Sequence, residues 1–496
     1  MPPRLVVGVD LGTQSLKAVV CDENLAVLGS HAVPISTAHP APGGAEQDPR
    51  AWDAALAPTI AGALAAAGAS AADVAALGFA GQLDGCVAVD ASGTPLGPAL
   101  IWQDRRAVDH VACAAPARLF DLTGQVADAS HMAPKIRMLR AEGRAGARYH
   151  QPTTYLVERV TGAAAIDPAH ASTTMLFDLL AGTWSRELLD AYEIDPSQLP
   201  ALRGTCDVAG TLTTAGAALT GLRSGTPVAV GTGDDFATPL GAGLVGPGPL
   251  VCAIGTAEVV GALAAQPVFD RPASRAATDP WRALTEPMVE THAYPTGAFF
   301  VENPGWMSGG AVRWATRMLG LRHDADLDAL AATAPPGAGG VTFVPALAGA
   351  MTPVWRSDAR GTLHGLAASH DRAHVARAVL EGLAFACRDV ATRIAALGLP
   401  VREALVLGGG GQSRVWTQLR ADVLGLPHHV AARTDTCAIG AAMIAAVAAG
   451  MHGSLGEAAA LAPPPSSSFA PHGDRGALDE AYARYRRLVE QLVLTA

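Results

Sequence analysis

Lysine is almost missing from this chain of 496 residues, which contains only Lys17 and Lys135. No Gly-x-x-x-x-Gly-Lys-Ser/Thr loop occurs, so the chain is not a P-loop nucleotide-binding protein. If it binds a nucleotide, backbone N–H groups, a metal ion and arginine must hold the phosphates. The formal net charge of −10 leaves no basic surface for a phosphate backbone, so we expect no nucleic-acid partner.

Cysteine pairs and long apolar runs are missing as well. The cysteines are odd in number and form no Cys-x-x-Cys pair, which predicts a reducing cytoplasm with no zinc site and no disulfide framework. They are Cys21, Cys86, Cys113, Cys206, Cys252, Cys387 and Cys437. The longest apolar run, near 437–451, is short and rich in alanine, and it predicts a buried helix rather than a membrane span. Residues 1–4 lead straight into a predicted strand, so we expect no signal peptide.

A glycine-rich stretch with two adjacent carboxylates, at 231–235, is the central feature of the sequence. It follows the apolar run 227–230, a predicted buried strand, and it precedes a predicted helix that begins at Phe236. Asp234 and Asp235 would then lie at a strand end, where open α/β sheets bind ligands. The same letters also fit an ordinary turn with an aspartate as helix N-cap.

The N-terminal residues 5–20 predict a strand, a tight turn and a second strand. Asp10 ends the first strand, and Thr13, Gln14 and Ser15 place hydroxyl, amide and N–H donors in the turn, where an anion can bind. Asp10 is a candidate Mg²⁺ ligand, acting through water because Mg²⁺ keeps much of its hydration shell. An ordinary hairpin whose aspartate caps the turn is the alternative.

The second half of the chain repeats this pattern. Residues 250–256 again predict a strand that enters a Gly-Thr turn, so the chain consists of two related halves. Further on, a predicted strand at 404–407 enters four consecutive glycines, 408–411, before a predicted helix. Such a run suits a flat ligand lying against bare backbone. Gly440 is predicted to start another helix, with small residues that permit close packing.

Polar and aromatic residues also follow two strands of the first half. They are Gln82, Leu83, Asp84, Trp102 and Asp104. Residues of these types just past strand ends are typical of binding sites, although each is also compatible with a local cap or a buried aromatic.

These motifs together resemble the FGGY family of carbohydrate kinases, and most closely its xylulokinases. Residues 10–13 resemble the first phosphate loop of the family, residues 254–256 the second, and residues 408–413 the adenosine loop. Residues 361–366 and 376–382 fit the C-terminal signature. Residues 133–135 resemble the N-terminal signature, although Met138 stands where tryptophan is usual.

The resemblance implies an α/β fold of two actin-like ATPase (ribonuclease H-like) domains flanking a deep cleft, with domains at 1–246 and 247–496. It implies ATP and Mg²⁺ as cofactors, Asp234 as catalytic base and Asp10 as metal ligand. The implied sugar-binding residues are Gln82, Leu83, Asp84, Trp102, Asp104, Asp234 and Asp235. The implied nucleotide-binding residues are Thr13, Gln14, Ser15, Gly255, Thr256, Gly408, Gly409, Gly410, Gly411, Gln412 and Ser413.

The acceptor is less narrowly defined by the resemblance. Xylulokinases usually have Met-His where this chain has Leu83-Asp84, whereas an acidic residue there and Trp102 are similar to glycerol kinase. We predict a pentulose, D-xylulose first, converted to D-xylulose 5-phosphate, with D-ribulose, L-ribulose, erythritol and glycerol as alternatives. A non-enzymatic nucleotide switch on the same fold is the alternative from another class. A sugar-responsive repressor would need a basic helix-turn-helix extension, which is absent. The sequence does not define the oligomeric state, and a homodimer is one of the alternatives.

Overall fold

The computed structural model describes residues 4–111, 118–272, 281 and 284–494. Cys113 and the first three residues therefore lie outside the described part of the chain. Among the described residues, no helix combines the length and apolar character that a membrane span requires.

The first half contains a large sheet with helices on both faces. The strands of this half are β1 (Leu5–Leu11), β2 (Ser15–Cys21), β3 (Val27–Pro34), β4 (Glu46–Gln47), β5 (Val74–Gly81), β6 (Val87–Val89), β7 (Ala99–Leu100), β8 (Arg148–His150), β9 (Ala165–Ile166), β10 (Phe177–Asp178), β11 (Thr183–Trp184), β12 (Ala201–Leu202), β13 (Val208–Thr211), β14 (Pro227–Ala229) and β15 (Thr232–Gly233). The large sheet contains β1, β2, β3, β5, β13, β14 and β15, and the others form two-stranded sheets. Within its described residues, this half also contains eight α-helices. Its helices are α1 (Pro49–Ala66), α2 (Leu119–Thr123), α3 (Met132–Ala141), α4 (Pro152–Thr161), α5 (Pro168–Ala171), α6 (Arg186–Ala191), α7 (Thr214–Thr220) and α8 (Asp234–Gly241).

The second half contains another such sheet. The strands of this half are β16 (Leu250–Ile254), β17 (Ala257–Ala264), β18 (Glu290–Ala293), β19 (Phe299–Met307), β20 (Thr342–Val344), β21 (Thr362–His364), β22 (Ala404–Leu407), β23 (His428–Val430) and β24 (Ser467–Phe469), of which β20 and β21 form a separate pair. Its helices are α9 (Gly309–Met318), α10 (Asp324–Ala331), α11 (Arg372–Ala396), α12 (Arg414–Leu424), α13 (Thr436–Ala448), α14 (Leu455–Ala459) and α15 (Gly476–Val489).

The two large sheets share one topology, which is what the repeated Gly-Thr pattern predicts. The first has the order β13-β14-β5-β1-β2-β3 and the second β18-β19-β17-β16-β22-β23-β24. In each, the opening hairpin is antiparallel and its first strand pairs in parallel with a strand from later in the chain, β5 or β22. The fold is therefore the predicted α/β arrangement of two related domains.

Alternation along β1 explains why helices cover both faces of the first sheet. Val7 and Val9 pack with Trp52 of α1, whereas Val6 faces the other way and packs with Ala438 of α13. Helix α13 comes close because β1 carries Gly8, where an added Cβ would lie 2.0 Å from the Ala438 carbonyl oxygen. The second half of the chain thus supplies a helix to the first sheet, and α13 also packs along α8.

Candidate functional site

The two predicted phosphate turns face each other between the halves. In the first turn the Gly12 N–H donates to the Ser15 carbonyl (3.0 Å), and in the second the Gly255 N–H donates to the Ala257 carbonyl (2.8 Å). The Gln14 amide (Nε2) lies 3.4 Å from Thr256 Oγ1, so these turns meet directly. Residues that are 242 positions apart in the chain are therefore brought together.

A cavity of about 440 Å³ opens beside the second turn. It is large enough for a nucleotide-sized ligand. Its lining includes Gly255, Thr256, Gly309, Arg313, Asp324, Asp328, Gly409, Gly410, Gln412, Ser413 and Trp416. Most of the residues predicted from the second turn and the glycine run therefore share one cavity wall. Thr13, Gln14 and Ser15 do not line this cavity, and their turn reaches it through the Gln14–Thr256 contact.

Two glycines of the run 408–411 correct the sequence prediction. Gly408 has a φ of 78°, and an added Cβ would lie 2.6 Å from the Ile254 carbonyl oxygen. Gly411 is buried, and an added Cβ would lie 3.0 Å from a methyl carbon of Val430. Neither residue lines the cavity, because both are needed for backbone packing against β16 and β23. Gly409 and Gly410 are the glycines of the run that border the cavity.

The start of α9 borders the cavity and was missed from the sequence. Arg313 Nη2 donates to Thr256 Oγ1 at 2.9 Å, which places a guanidinium beside the second turn. The sequence pattern that indicates it is Ser308-Gly309-Gly310 at the start of an amphipathic helix. Helix starts with such small residues can bind anions. Arg313 is therefore an arginine at the wall of this cavity, and its guanidinium has the planar set of donors that suits phosphate oxygens.

Three partly buried aspartates lie at the junction of the two halves. Asp10 is in β1, and Asp234 and Asp235 form the first turn of α8, which begins two residues earlier than predicted. Gly233 is the N-cap and no side chain caps this helix, so the alternative of an aspartate cap is wrong. Both carboxylates therefore lie in the first turn of the helix, and that of Asp234 accepts hydrogen bonds from the N–H groups of this turn.

Burial raises the pKa of each of these aspartates, and repulsion from a neighbouring carboxylate adds to the rise. Burial raises the pKa of Asp10 to about 6, against a smaller lowering by Cys437 and Lys17. Burial and the charges of Asp235 and Asp10 hold the pKa of Asp234 well above its usual range. Burial and the charge of Asp84 raise the pKa of Asp235 to about 7. A cation among these groups would relieve this repulsion.

Lys17 lies beside this group but is already paired. Its ammonium (Nζ) lies 2.7 Å from Asp435 Oδ1, which directly precedes α13. The bond joins β2 of the first half to the second half. Asp435 was not singled out from the sequence, because its partner lies 418 residues away.

The predicted sugar-site residues divide into those open to the cleft and those held in the interior. Trp102 is partly exposed and its indole N–H donates to Thr13 Oγ1 at 2.9 Å, which links it to the first phosphate turn. Gln82 is buried, and its amide nitrogen donates to Gln47 Oε1 (2.9 Å). The side chain of Asp84 is 19% exposed and contacts His131.

Asp104 and Leu83 correct the prediction of direct sugar contact. The Asp104 carboxylate is fully buried, where it accepts hydrogen bonds from the Ala45 N–H (2.9 Å) and from Arg106 (2.6 Å). Leu83 is also buried and packs so closely on Gly233 that an added Cβ there would lie 1.8 Å from a Leu83 methyl. The carboxylate of Asp104 and the apolar side chain of Leu83 already contact other parts of the protein. Both residues therefore form the wall behind the cleft.

A buried cluster of histidines and glutamates borders the same region and was also missed. His131 lies 3.1 Å from Asp84, and its other ring nitrogen lies 3.5 Å from Glu290. His292 lies 3.5 Å from both Glu290 and Glu302. These residues sit in unremarkable sequence, since β18 and β19 read as ordinary strands with single charged positions.

Comparison with known proteins identifies the family. The N-terminal domain of the FGGY family of carbohydrate kinases matches residues 5–241, and the C-terminal domain of that family matches residues 250–449. The chain belongs to the FGGY family of carbohydrate kinases. This FGGY kinase is an ATP-dependent carbohydrate kinase, as the sequence predicted.

Individual relatives of this FGGY kinase act on two kinds of acceptor. A glycerol kinase of Gloeobacter violaceus is 33% identical over 98% of this chain and 96% of its own length. A xylulose kinase of Escherichia coli (strain K12) is 30% identical over 99% of both chains. The crystal structure of a xylulose kinase from Rhodospirillum rubrum superimposes with a TM-score of 0.84 over 99% of both chains at 27% identity. Polyol and ketose kinases are thus similarly distant relatives.

Proposed function

We propose that this FGGY kinase transfers the γ-phosphoryl group of ATP to a hydroxyl of a pentulose, D-xylulose first, with Asp234 as catalytic base. The observation that carries the proposal is the place of Asp234, at the start of α8 beside Asp10, where the two halves meet. D-ribulose, L-ribulose, erythritol and glycerol are the alternative acceptors, and the glycerol kinase relatives keep glycerol prominent among them.

The chemistry follows from this arrangement. The acceptor oxygen attacks the γ-phosphorus while the bond from phosphorus to the bridging oxygen of ADP breaks, and Asp234 takes the hydroxyl proton. Phosphoryl transfer requires mostly positioning and charge neutralisation. Backbone N–H groups of the two Gly-Thr turns and the Arg313 guanidinium supply hydrogen-bond donors for the phosphate oxygens.

The aspartates also fit Mg²⁺. They offer hard oxygen ligands, and their pKa values are raised mainly by burial, with repulsion from neighbouring carboxylates adding to it. Asp10 would hold Mg²⁺, through water, between the two turns. When bound, Mg²⁺ supplies positive charge to the β- and γ-phosphates.

The charge of the acceptor region favours a neutral substrate. Asp84, Asp235 and Glu302 interact electrostatically, and the basic groups nearest to them already have partners: His131 faces Asp84, and the Lys135 ammonium donates to the Asp84 and Ile101 carbonyls. A sugar acid would place another carboxylate against this group. A neutral ketose or polyol instead donates hydroxyl hydrogen bonds to it.

A screen of acceptors tests the proposal. We expect ADP release from Mg²⁺-ATP to depend on the acceptor, with the highest kcat/KM for D-xylulose among D-xylulose, D-ribulose, L-ribulose, erythritol and glycerol. D-gluconate is the charged control and should be a poor acceptor. If kcat/KM is highest for glycerol, the acceptor is a polyol and not a pentulose. ADP release that no acceptor stimulates would instead support a nucleotide switch.

The nucleotide cavity predicts a selective effect of Gly409→Ala. A Cβ on Gly409 meets no described atom within 4 Å, so the folded protein tolerates the methyl group, which points to open space beside the cavity. We expect the KM for ATP to rise about tenfold or more, as for a methylene-sized obstruction. Gly473→Ala is the matched control, since that position is equally open and lies outside the cavity. Equal KM values for ATP in both variants would place the nucleotide elsewhere.

A further inference from the structure

His131 connects the two halves through a pair of carboxylates. It directly precedes α3 and its side chain is 2% exposed. Its Nδ1 lies 3.1 Å from Asp84 Oδ1, in the loop after β5, and its Nε2 lies 3.5 Å from Glu290 Oε1, at the start of β18. The three side chains form a continuous line from the acceptor region of the first half to the second sheet.

The charges within this line stabilise one another. Burial lowers the pKa of His131, but the charges and hydrogen bonds of Asp84 and Glu290 outweigh it and hold the pKa well above its ordinary value. Burial raises the pKa of Glu290, but hydrogen bonding and charge from His131, with His292, lower it to about 2. Carboxyl groups on both sides therefore favour the protonated form of His131. Such a buried arrangement is costly to break at any one member.

Other residues hold the backbone of Asp84 without help from His131. Asp84 has a φ of 58°, its N–H donates to Gln151 Oε1 (2.8 Å), and its carbonyl accepts from Lys135 Nζ (2.7 Å). Lys135 also donates to the Ile101 carbonyl at 2.8 Å, which ties the Asp84 loop to the strand end before Trp102. The backbone of this loop is therefore fixed without His131, and His131 orients only the Asp84 carboxylate.

The second half is packed firmly against this region through β18. The Glu290 carboxylate accepts from the Val126 N–H (2.6 Å), and the Thr291 N–H donates to the Gly124 carbonyl (3.0 Å). A Cβ on Gly124 would lie 2.6 Å from the Thr291 carbonyl oxygen, so these segments are in tight contact. Glu290 consequently acts on His131 from a fixed position.

We propose that His131 and Glu290 are positioning residues that hold the Asp84 carboxylate towards the acceptor, so that β18 of the second half takes part in acceptor selection. The inference rests on the proposed function, since it places Asp84 at the acceptor. With Oδ1 facing His131, the Asp84 carboxylate keeps lone pairs that can accept hydrogen bonds from hydroxyl groups of the acceptor but can donate none. The acceptor class it selects is a neutral ketose or polyol with a hydroxyl at the end remote from the phosphorylated carbon.

Steady-state kinetics of His131→Asn and Glu290→Gln test the proposal. We expect each variant to raise the KM for the preferred acceptor about tenfold or more, because a charge-assisted hydrogen bond that orients Asp84 is lost. The KM for ATP should stay within about threefold of the parent value, because other residues line the nucleotide cavity. The advantage of D-xylulose over 1-deoxy-D-xylulose, which lacks the remote hydroxyl, should shrink. His428→Asn is the matched control, a buried histidine of β23 that contacts the Leu426 carbonyl (2.8 Å).

A double-mutant cycle with Asp84→Asn separates positioning from general destabilisation. If His131 acts through Asp84, the double variant His131→Asn/Asp84→Asn should be no worse for the acceptor than Asp84→Asn alone. Any of three results would overturn the inference. The first is that the two substitutions lower kcat/KM for the acceptor additively, and the second is that the KM for the acceptor is unchanged in the single variants. The third is that kcat/KM falls equally for ATP and acceptor, by the same amount as in His428→Asn. A parent enzyme that phosphorylates no acceptor would instead refute the proposed function, so the two failures are distinguishable.

Discussion

Replacing Asp234 by asparagine is expected to lower kcat by about two to four orders of magnitude, the range typical for loss of a general base. Asparagine has nearly the same shape but cannot accept the hydroxyl proton. The KM values for ATP and acceptor should change by no more than a few fold, because the substitution removes a group that acts mainly in the transition state. Single-turnover phosphorylation with saturating Mg²⁺-ATP measures the chemical step directly.

The same substitution should not destabilise the protein. A negative charge in the first turn of a helix contributes roughly 0.3–1 kcal/mol, which Asp234→Asn removes from α8. Against this, the substitution relieves the repulsion that Asp235 and Asp10 exert on Asp234. We therefore expect a melting temperature equal to or above that of the parent, which separates lost chemistry from lost folding.

Asp389→Asn is the matched control for this prediction. Burial raises the pKa of Asp389 to about 7, but this carboxylate lies in α11 and accepts a hydrogen bond from Tyr482 of α15, outside the cleft. Its turnover should stay near that of the parent. Turnover of Asp234→Asn within a few fold of the parent would remove Asp234 from the role of base.

The sequence predicts those parts of the fold that local patterns determine. Alternating and continuous apolar runs gave the strands β1, β14 and β22 within about a residue, and the two Gly-Thr turns revealed the repeated topology. Helix starts were less accurate. Helix α13 begins at Thr436 and not at Gly440, because Gly440 serves packing inside the helix, where an added Cβ would lie 2.1 Å from the Ala237 carbonyl oxygen.

Long-range partners are what local patterns cannot predict. Lys17 and Asp435, or His131 and Glu290, form pairs only after the two halves fold together. Asp104 illustrates the opposite error, since a carboxylate just past a strand end has the position of a ligand-binding residue. Its partner Arg106, two residues further on, turns it inward to satisfy the Ala45 N–H. Position along a strand therefore predicts proximity to the cleft but not exposure to it.

The largest effect on folding is expected for Arg420→Met. Arg420 and Glu258 are fully buried, and they form a two-point contact in which Nη1 lies 3.1 Å from Oε2 and Nη2 contacts Oε1. Removing the arginine leaves a buried carboxylate without its cation, which costs about 3–5 kcal/mol. Urea unfolding followed by circular dichroism should show a clear drop in the midpoint of the transition that reports on the second half.

The pair also joins three walls of the nucleotide cavity. Glu258 follows the Gly-Thr turn in β17, Arg420 lies in α12 after the glycine run, and Ser308 before α9 donates to Glu258 at 2.7 Å. Cys252 and Cys387 lie close to Glu258, but Arg420 already contacts Cys387 and Glu258, which disfavours a metal ion there. Arg420→Met should therefore raise the KM for ATP as well as lower stability.

The double variant Glu258→Gln/Arg420→Met tests why Arg420→Met is less stable. The cause is either the loss of the ion pair itself or the buried Glu258 charge that is left without a partner. Because it removes both buried charges, it should recover a large part of the stability that Arg420→Met loses. Arg186→Met is the matched surface control, since the Arg186–Asp190 pair is 81% and 63% exposed and should contribute less than about 1 kcal/mol. Equal midpoints for Arg420→Met and the parent, or a double variant as unstable as the single one, would contradict this account. In the second case the loss of stability would come from packing around α12 and not from the isolated Glu258 carboxylate.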